Sequence, residues 1–448
     1  MKYRYRSDEE MKDSGVEWIG KIPKDWEVKK LKRISNIITG NTPSKNNEDN
    51  YKNGYMQWIK PDNIMENFTI TDSKEKLSGE GVKQARIIPK NSAIVCCIGT
   101  VGKLGINTEE CATNQQINSV IFNNKKIFNK FGIYSLIASR QEHEKNSNKV
   151  VVSILNKSQQ GNIEIALSNY EKQEKIAKFL DEKTSYFNNI ISKKEKLIEK
   201  LEEAKKSLIS EVVTGKVKVV KNGDDFEIVK REDSEMKDSG VEWIGKIPKD
   251  FNVSKIKYIC EMNKNTLSEN TNDEYEIKYI DIGSVNLNGE ITEIQLLKFK
   301  DAPSRARRIL SDKDIIISTV RTYLKAITSI KTKEKNIICS TGFVVLTPKE
   351  NINYKYLSYF VRENTFVNEI VSRSKGVSYP AITSSEIGNL EIIVPDKEEQ
   401  DLISEYVSIR IEKIDNIIKK IKKQIAKLKE AKRALISEAV TGKIEILD

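Results

Sequence analysis

The fifteen residues MKDSGVEWIGKIPKD at 11–25 return unchanged at 236–250. The residues after each copy are unrelated for more than a hundred positions, and then a second correspondence begins. YEKQEKIAKFLDEKTSYFNNIISKKEKLIEKLEEAKKSLISEVVTGKVKV at 170–219 matches KEEQDLISEYVSIRIEKIDNIIKKIKKQIAKLKEAKRALISEAVTGKIEI at 397–446, with Gln173 answering to Gln400 and Gly215 to Gly442. The chain therefore reads as opening repeat, variable region and long charged segment, and then the same three again.

The long segments carry a helical signature. Phe187, Ile190, Ile191, Leu197, Ile198, Leu201, Ala204 and Leu208 recur every three or four residues, as do Ile414, Ile417, Ile418, Ile421, Ile425, Leu428, Ala431 and Leu435. Lys and Glu fill most of the positions between them, no proline interrupts either run, and VTGK closes both with a glycine where a helix stop belongs. At 1.5 Å per residue such a helix is a rod of roughly 60 Å whose apolar stripe must be covered. The simplest cover is the other helix, in an antiparallel pair of coiled-coil type, which also has twofold symmetry. An ordinary dimerisation helix explains one such segment; a chain that supplies both can close on itself. The duplicated segments are then a scaffold, and the variable segments are what it presents.

Composition bounds the rest. A chain of 448 residues exceeds the size at which one core usually keeps growing, so two or three domains are expected. Charged residues at 31% describe a large wetted surface, and no stretch reaches the roughly 20 apolar residues of a membrane span. MKYRYRSDEE lacks the apolar centre of a signal peptide, and the chain is read as cytoplasmic with no membrane partner. Five cysteines (Cys96, Cys97, Cys111, Cys260 and Cys339), odd in number and without a CxxC pair, indicate neither a disulfide framework nor a zinc site. The net charge of +11 favours a polyanionic partner without establishing one.

The variable regions, 26–169 and 251–396, mix short β-branched runs with Gly, Asn, Ser and Thr, and each is read as an α+β domain with a mostly antiparallel sheet. SAIVCCIGTVGKLGI at 92–106 and KDIIISTVRTYLKAI at 313–327 look like strand, turn, strand, with Lys103 in the first turn and Arg321, Tyr323 and Lys325 in the second. GTVGKLG has the spacing G-x-x-G-K and leads into another apolar stretch, so it is a hairpin turn and not a nucleotide-phosphate loop. Amides suited to adenine gather in KPDNI and CATNQQINSV, which supply Lys60, Asn63, Asn114, Gln115 and Gln116. Arginines suited to guanine or phosphate gather in SRARR (Arg305, Arg307, Arg308), in STVRTYLK, and with Arg373 and Lys375 in SRSKGVSYPAITSSEI. Each alone is compatible with surface decoration; their clustering around the turns is the DNA-binding signal.

Catalytic signatures are missing. The one histidine, His143, lies in the charged run RQEHEKN and is expected to be solvated. No G-x-S-x-G, HExxH or dinucleotide fingerprint is present, and Glu398 and Glu399 stand at a helix start, where they complement the dipole.

The two-part plan, VEWIGKIPKDW opening a variable region, NQQIN late in the first half, KEEQDLI opening the last helix and LISEAVTGKI closing it together resemble the specificity subunit of type I restriction–modification systems. The resemblance covers essentially the whole chain. It implies two globular α/β target recognition domains joined by two long antiparallel helices with an internal pseudo-twofold repeat. Its segments are a first target recognition domain at 1–169, a central long helix at 170–216, a linker, second repeat and second recognition domain at 217–396, and a C-terminal long helix at 397–448. The implied partners are double-stranded DNA, two modification (methyltransferase) subunits and the restriction subunits. No cofactor is expected on this chain; S-adenosylmethionine, ATP and Mg belong to the partner subunits, which do the chemistry. Leu208, Ile209, Leu435 and Ile436, near the recurring helix ends, are candidate partner contacts, with the competing reading that they only hold the scaffold together. A coiled-coil scaffold with two domains for protein ligands is the alternative from another class, and salt-dependent DNA binding separates the two.

Overall fold

A computed structural model describes residues 1–149, 151–223, 225–376 and 378–447. The chain forms two compact units, one built from Met1–Lys196 and Ile421–Asp448, the other from Leu197–Lys420. Each unit thus takes part of both long helices, the central one at Tyr170–Val213 and the C-terminal one at Lys397–Val440, 44 residues apiece.

The β framework of the first unit comprises two four-stranded sheets. One runs Leu104–Ile106, Ala93–Cys96, Ile117–Phe122, Ser35–Thr39, antiparallel throughout. The other runs Lys76–Leu77, Met56–Ile59, Cys111–Thr113, Ile87–Ile88, with one parallel pairing between its middle strands. The second unit repeats this order strand for strand. Its antiparallel sheet runs Ile327–Ser329, Ile315–Ser318, Phe343–Pro348, Cys260–Met262. Its mixed sheet runs Gln295–Lys298, Glu276–Ile280, Ile337–Ser340, Ala306–Ile309, again with a parallel middle pair.

The unbroken apolar runs at the centre of each unit follow from this layering, because such strands have core on both faces. Ala93 and Val95 enter the large core under the helices, whereas Ile94 and Cys96 enter a smaller core with Ile59, Ile88 and Cys111. In the second unit Ile315 and Ile317 divide from Ile316 in the same way. Successive side chains point to opposite faces, so a strand of period two reads as continuous when both faces are buried.

The helix starts are locked to the globular parts by two corresponding glutamines. Gln173, 1% exposed, accepts from the Phe128 backbone N–H at 2.7 Å and donates to the Ser168 carbonyl at 2.7 Å. Gln400, also 1% exposed, accepts from Asn353 N–H at 2.9 Å and donates to the Pro395 carbonyl at 2.9 Å. Just upstream, Asn169 and Asp396 cap their helices by accepting from the backbone N–H groups of Lys172 and Glu399.

The helix ends explain the fifteen-residue repeat. Each copy opens with a hairpin, Met11–Asp13 with Lys21–Pro23 and Met236–Asp238 with Lys246–Pro248. Gly442 closes the C-terminal helix at φ +73, and a Cβ there would lie 2.5 Å from Pro23 Cδ. Gly215 closes the central helix at φ +72, and a Cβ there would lie 2.4 Å from Pro248 Cγ. The repeat is a pad that receives a helix end. The first unit adds a strand pair, Tyr3–Tyr5 with Ile444–Ile446, where the second has the hairpin Val217–Asn222 and Asp225–Lys230.

Within the first unit the helix parts run antiparallel. Lys432 Nζ donates to Asn188 at 2.8 Å, Lys194 Nζ to Gln424 at 2.7 Å, and Lys429 Nζ lies 3.5 Å from Glu195. Within the second unit Lys205 Nζ reaches Asp415 at 2.7 Å. Ile191, Ile418, Ile421 and Ile425 are buried, but Leu197 and Ile417 stay exposed. A two-helix seam covers one face of each helix and leaves its flanks wet.

One sequence expectation is overturned. His143 is not solvated: it is 1% exposed, with Nδ1 3.0 Å from the Ser139 carbonyl, and burial pulls its pKa down to about 4. The short helix Arg140–Lys145 lies against the turn at Gly102, so close that a Cβ on that glycine would meet Arg140 and His143 at 3.1 Å. A charged run looked wet from its neighbours, yet the residue facing inward is a neutral core histidine.

Candidate nucleic-acid interface

In the first unit most of the candidate amides are already engaged within the fold. Asn63 closes the turn Pro61–Asn63 by accepting from the Lys60 backbone N–H at 2.9 Å and donating to the Asp72 carbonyl at 3.3 Å. Asn114 is buried, accepting from Gln116 N–H at 3.1 Å and donating to Gln116 Oε1 at 2.9 Å. Gln115, between them, is exposed and accepts from the Thr42 hydroxyl. Lys60 Nζ sits 2.6 Å from Glu75 and 4.4 Å from the Trp58 ring centre. Lys103 Nζ donates to the Pro61 carbonyl at 3.3 Å. The turn it occupies joins strands Ala93–Cys96 and Leu104–Ile106 as an antiparallel hairpin, with Gly99 and Gly102 at φ +77 and +78.

In the second unit the arginines of SRARR are spent on their own sheet. Arg305 pairs with Asp281 at 2.8 Å and donates to the Tyr279 hydroxyl. Arg307 stacks 4.7 Å from the Phe299 ring centre, and Arg308 donates to Thr266 at 3.2 Å. Arg373 pairs with Glu369 at 2.6 Å.

Arg321, Tyr323 and Lys325 stand differently. They lie in the turn between Ile315–Ser318 and Ile327–Ser329, matching the Gly99–Gly102 turn in the strand order. Arg321 and Lys325 take left-handed backbone, φ +50 and +51, which glycine adopts freely and other residues hold only at a cost. Lys375 pairs its backbone with Ala381, Ala381 bridges to Val320, and the Thr322 and Ser374 hydroxyls are hydrogen-bonded at 2.8 Å. These links bring Arg321, Tyr323, Lys325 and Lys375 to one edge of the unit. Tyr379, 64% exposed, joins them with its ring 4.6 Å from the Arg321 guanidinium. Tyr379 was not among the residues singled out in the sequence; an aromatic beside a proline in a cationic, glycine-containing loop was the available signal.

The helix-end candidates lie against or within the cores. Leu208 and Ile209 pack against the core of the second unit, Leu435 packs against that of the first, and Ile436 is buried within it. Each makes packing contacts within its own unit. Among the described residues no group of three or more His, Cys, Asp or Glu is placed to hold a metal, and no helix is long and apolar enough to cross a membrane. All five cysteines are buried thiols, and burial pushes Cys97, Cys111 and Cys260 up to about 12, far from a reactive thiolate.

Two units of one topology, with equivalent frames and unlike exposed turns, define a protein of paired recognition domains. The profile of a family described as "Type I restriction modification DNA specificity domain" matches residues 23–203 and again 248–427. The chain belongs to this family, and it is a specificity subunit of the type I restriction–modification class. It is 25% identical over 461 aligned residues to the type I restriction enzyme MjaIX specificity subunit of Methanocaldococcus jannaschii, covering 99% of this chain and 98% of the relative. The type I restriction enzyme HindI specificity subunit of Haemophilus influenzae is 37% identical over 102 residues, 22% of each chain. In fold it is similar, at a TM-score of 0.65 and 14% identity, to a chain in a solved structure concerned with complex assembly and conformational transition of the type I R-M system, with 94% of this chain and 99% of that chain covered.

Proposed function

We propose that this subunit reads a bipartite, asymmetric sequence in double-stranded DNA, one half with each unit, and does no chemistry itself. Two modification subunits methylate adenine at the sites it selects, and the restriction subunits act through the same address. S-adenosylmethionine, ATP and Mg are bound by those partners. The observation that carries this reading is the pair of matching turns: the same strand order ends in Gly99–Gly102 in one unit and in Arg321–Lys325 in the other. A shared frame with different side chains at an exposed edge is what two unlike half-sequences require, because base edges are told apart by donor and acceptor pattern.

The purified chain is expected to transfer no methyl group to DNA, and to confer sequence-specific adenine methylation once mixed with its modification subunit. Methyl incorporation by the chain alone would contradict the proposal.

A further inference from the structure

We infer that Arg321, held by Tyr379, reads a guanine in the half-sequence recognised by the second unit. The inference rests on the DNA-reading function proposed above and adds the base class and the residue. Three observations carry it.

First, the guanidinium is unspent. Arg305 and Arg373 are held in ion pairs, whereas exposed Arg321 has no ion-pair partner among the described residues and offers its fork of N–H donors outward. Second, it lies over an aromatic ring. The backbone N–H of Arg321 donates to the Pro380 carbonyl at 2.8 Å, and the guanidinium lies 4.6 Å from the ring centre of Tyr379, the neighbouring residue in that loop. Backbone and side chain are thus tied to one loop, which leaves the edge of the guanidinium as the free face. Third, the backbone is held where a side chain is disfavoured: φ is +50 at Arg321, while the first unit's matching residue, Gly99, adopts +77 with no side chain at all. A left-handed arginine where glycine would serve the turn better points to a role for the side chain.

A phosphate contact needs charge and little else, and Lys325 and Lys375 at the same edge supply that. A planar fork stacked on a tyrosine ring suits the two acceptors, O6 and N7, that guanine presents together in the major groove.

The test uses the full chain assembled with its modification subunit, and methylation mapped over duplexes varied at every position of the half-sequence assigned to the second unit. Arg321→Gly keeps the turn, since glycine already serves it in the first unit. It is expected to relax discrimination at one G·C pair by about ten- to a hundredfold while the other half-sequence is read as before. Arg321→Lys is expected to relax the same position, because an ammonium keeps the charge and loses the fork. Tyr379→Ala is expected to give a smaller loss at that same pair. An Arg321→Lys complex as selective as the wild type, a loss spread evenly over all sequences, or a half-sequence with no G·C pair would overturn the inference. A wild-type complex that methylates no bipartite site would instead overturn the reading of function beneath it.

Discussion

The turn at Gly99–Gly102 and the turn at Arg321–Lys325 close matching hairpins in matching sheets, yet one is built on glycines and the other on two left-handed cations. Beneath them the strands obey one rule, with Ala93 and Val95, like Ile315 and Ile317, entering the main core of their unit. Close packing tolerates little change in a core, whereas the outer residues of a turn, Gly99 and Thr100 in one unit and Arg321 and Tyr323 in the other, are exposed and freer to differ. Between the two units, variation therefore collects in the turns, and sameness collects where helix ends are received.

If that sameness is structural, breaking one pad should damage one unit. Gly442→Val forces a β-branched residue into left-handed backbone against Pro23, and the first unit should lose at least about 3 kcal/mol. Gly215→Val should do the same to the second unit through Pro248. Hydrogen exchange at strands 93–96 and 315–318 separates the two outcomes; equal loosening of both strands by either variant would deny the pads their separate roles.

The units should also part under acid. His143, the only histidine, sits in the first unit with its pKa held near 4 by burial, below the ordinary 6.5. The unfolded chain therefore takes up this proton first. The contribution is fully present above pH 6.5 and is lost as pH falls toward 4, about 3 kcal/mol in all at about 1.4 kcal/mol per pH unit. A His143→Gln variant should lack this slope in the first unit, with the exchange of strand 315–318 unaffected. Equal slopes for variant and wild type would show that the ring is not buried neutral.

A smaller effect should sharpen the correspondence between the units. Gln173→Ala and Gln400→Ala each leave a half-buried backbone donor and a buried backbone acceptor unpaired, which costs about 1–3 kcal/mol. Chemical denaturation should give similar losses for the two; a loss at only one helix start would mean that the locks are not equivalent.

Much of the frame was legible in the sequence, because a stripe of period 3.6 and a fifteen-residue identity survive without tertiary knowledge. NQQIN and SRARR were not so readable. A free amide or guanidinium and an engaged one are the same letters, and only the fold shows that Asn114 bonds to Gln116 or that Arg305 faces Asp281. His143 failed for the same reason, since its charged neighbours point outward while it points inward. The role of the opening repeat was hidden because Pro23 and Gly442 stand more than four hundred residues apart in the chain.

The most direct test exchanges residues 251–396 for the equivalent segment of a relative and maps adenine methylation by the reconstituted complex. Independent readers predict a new sequence in one half of the target and the original sequence in the other. Both halves changing together would contradict this, because neither unit would then be reading its half alone.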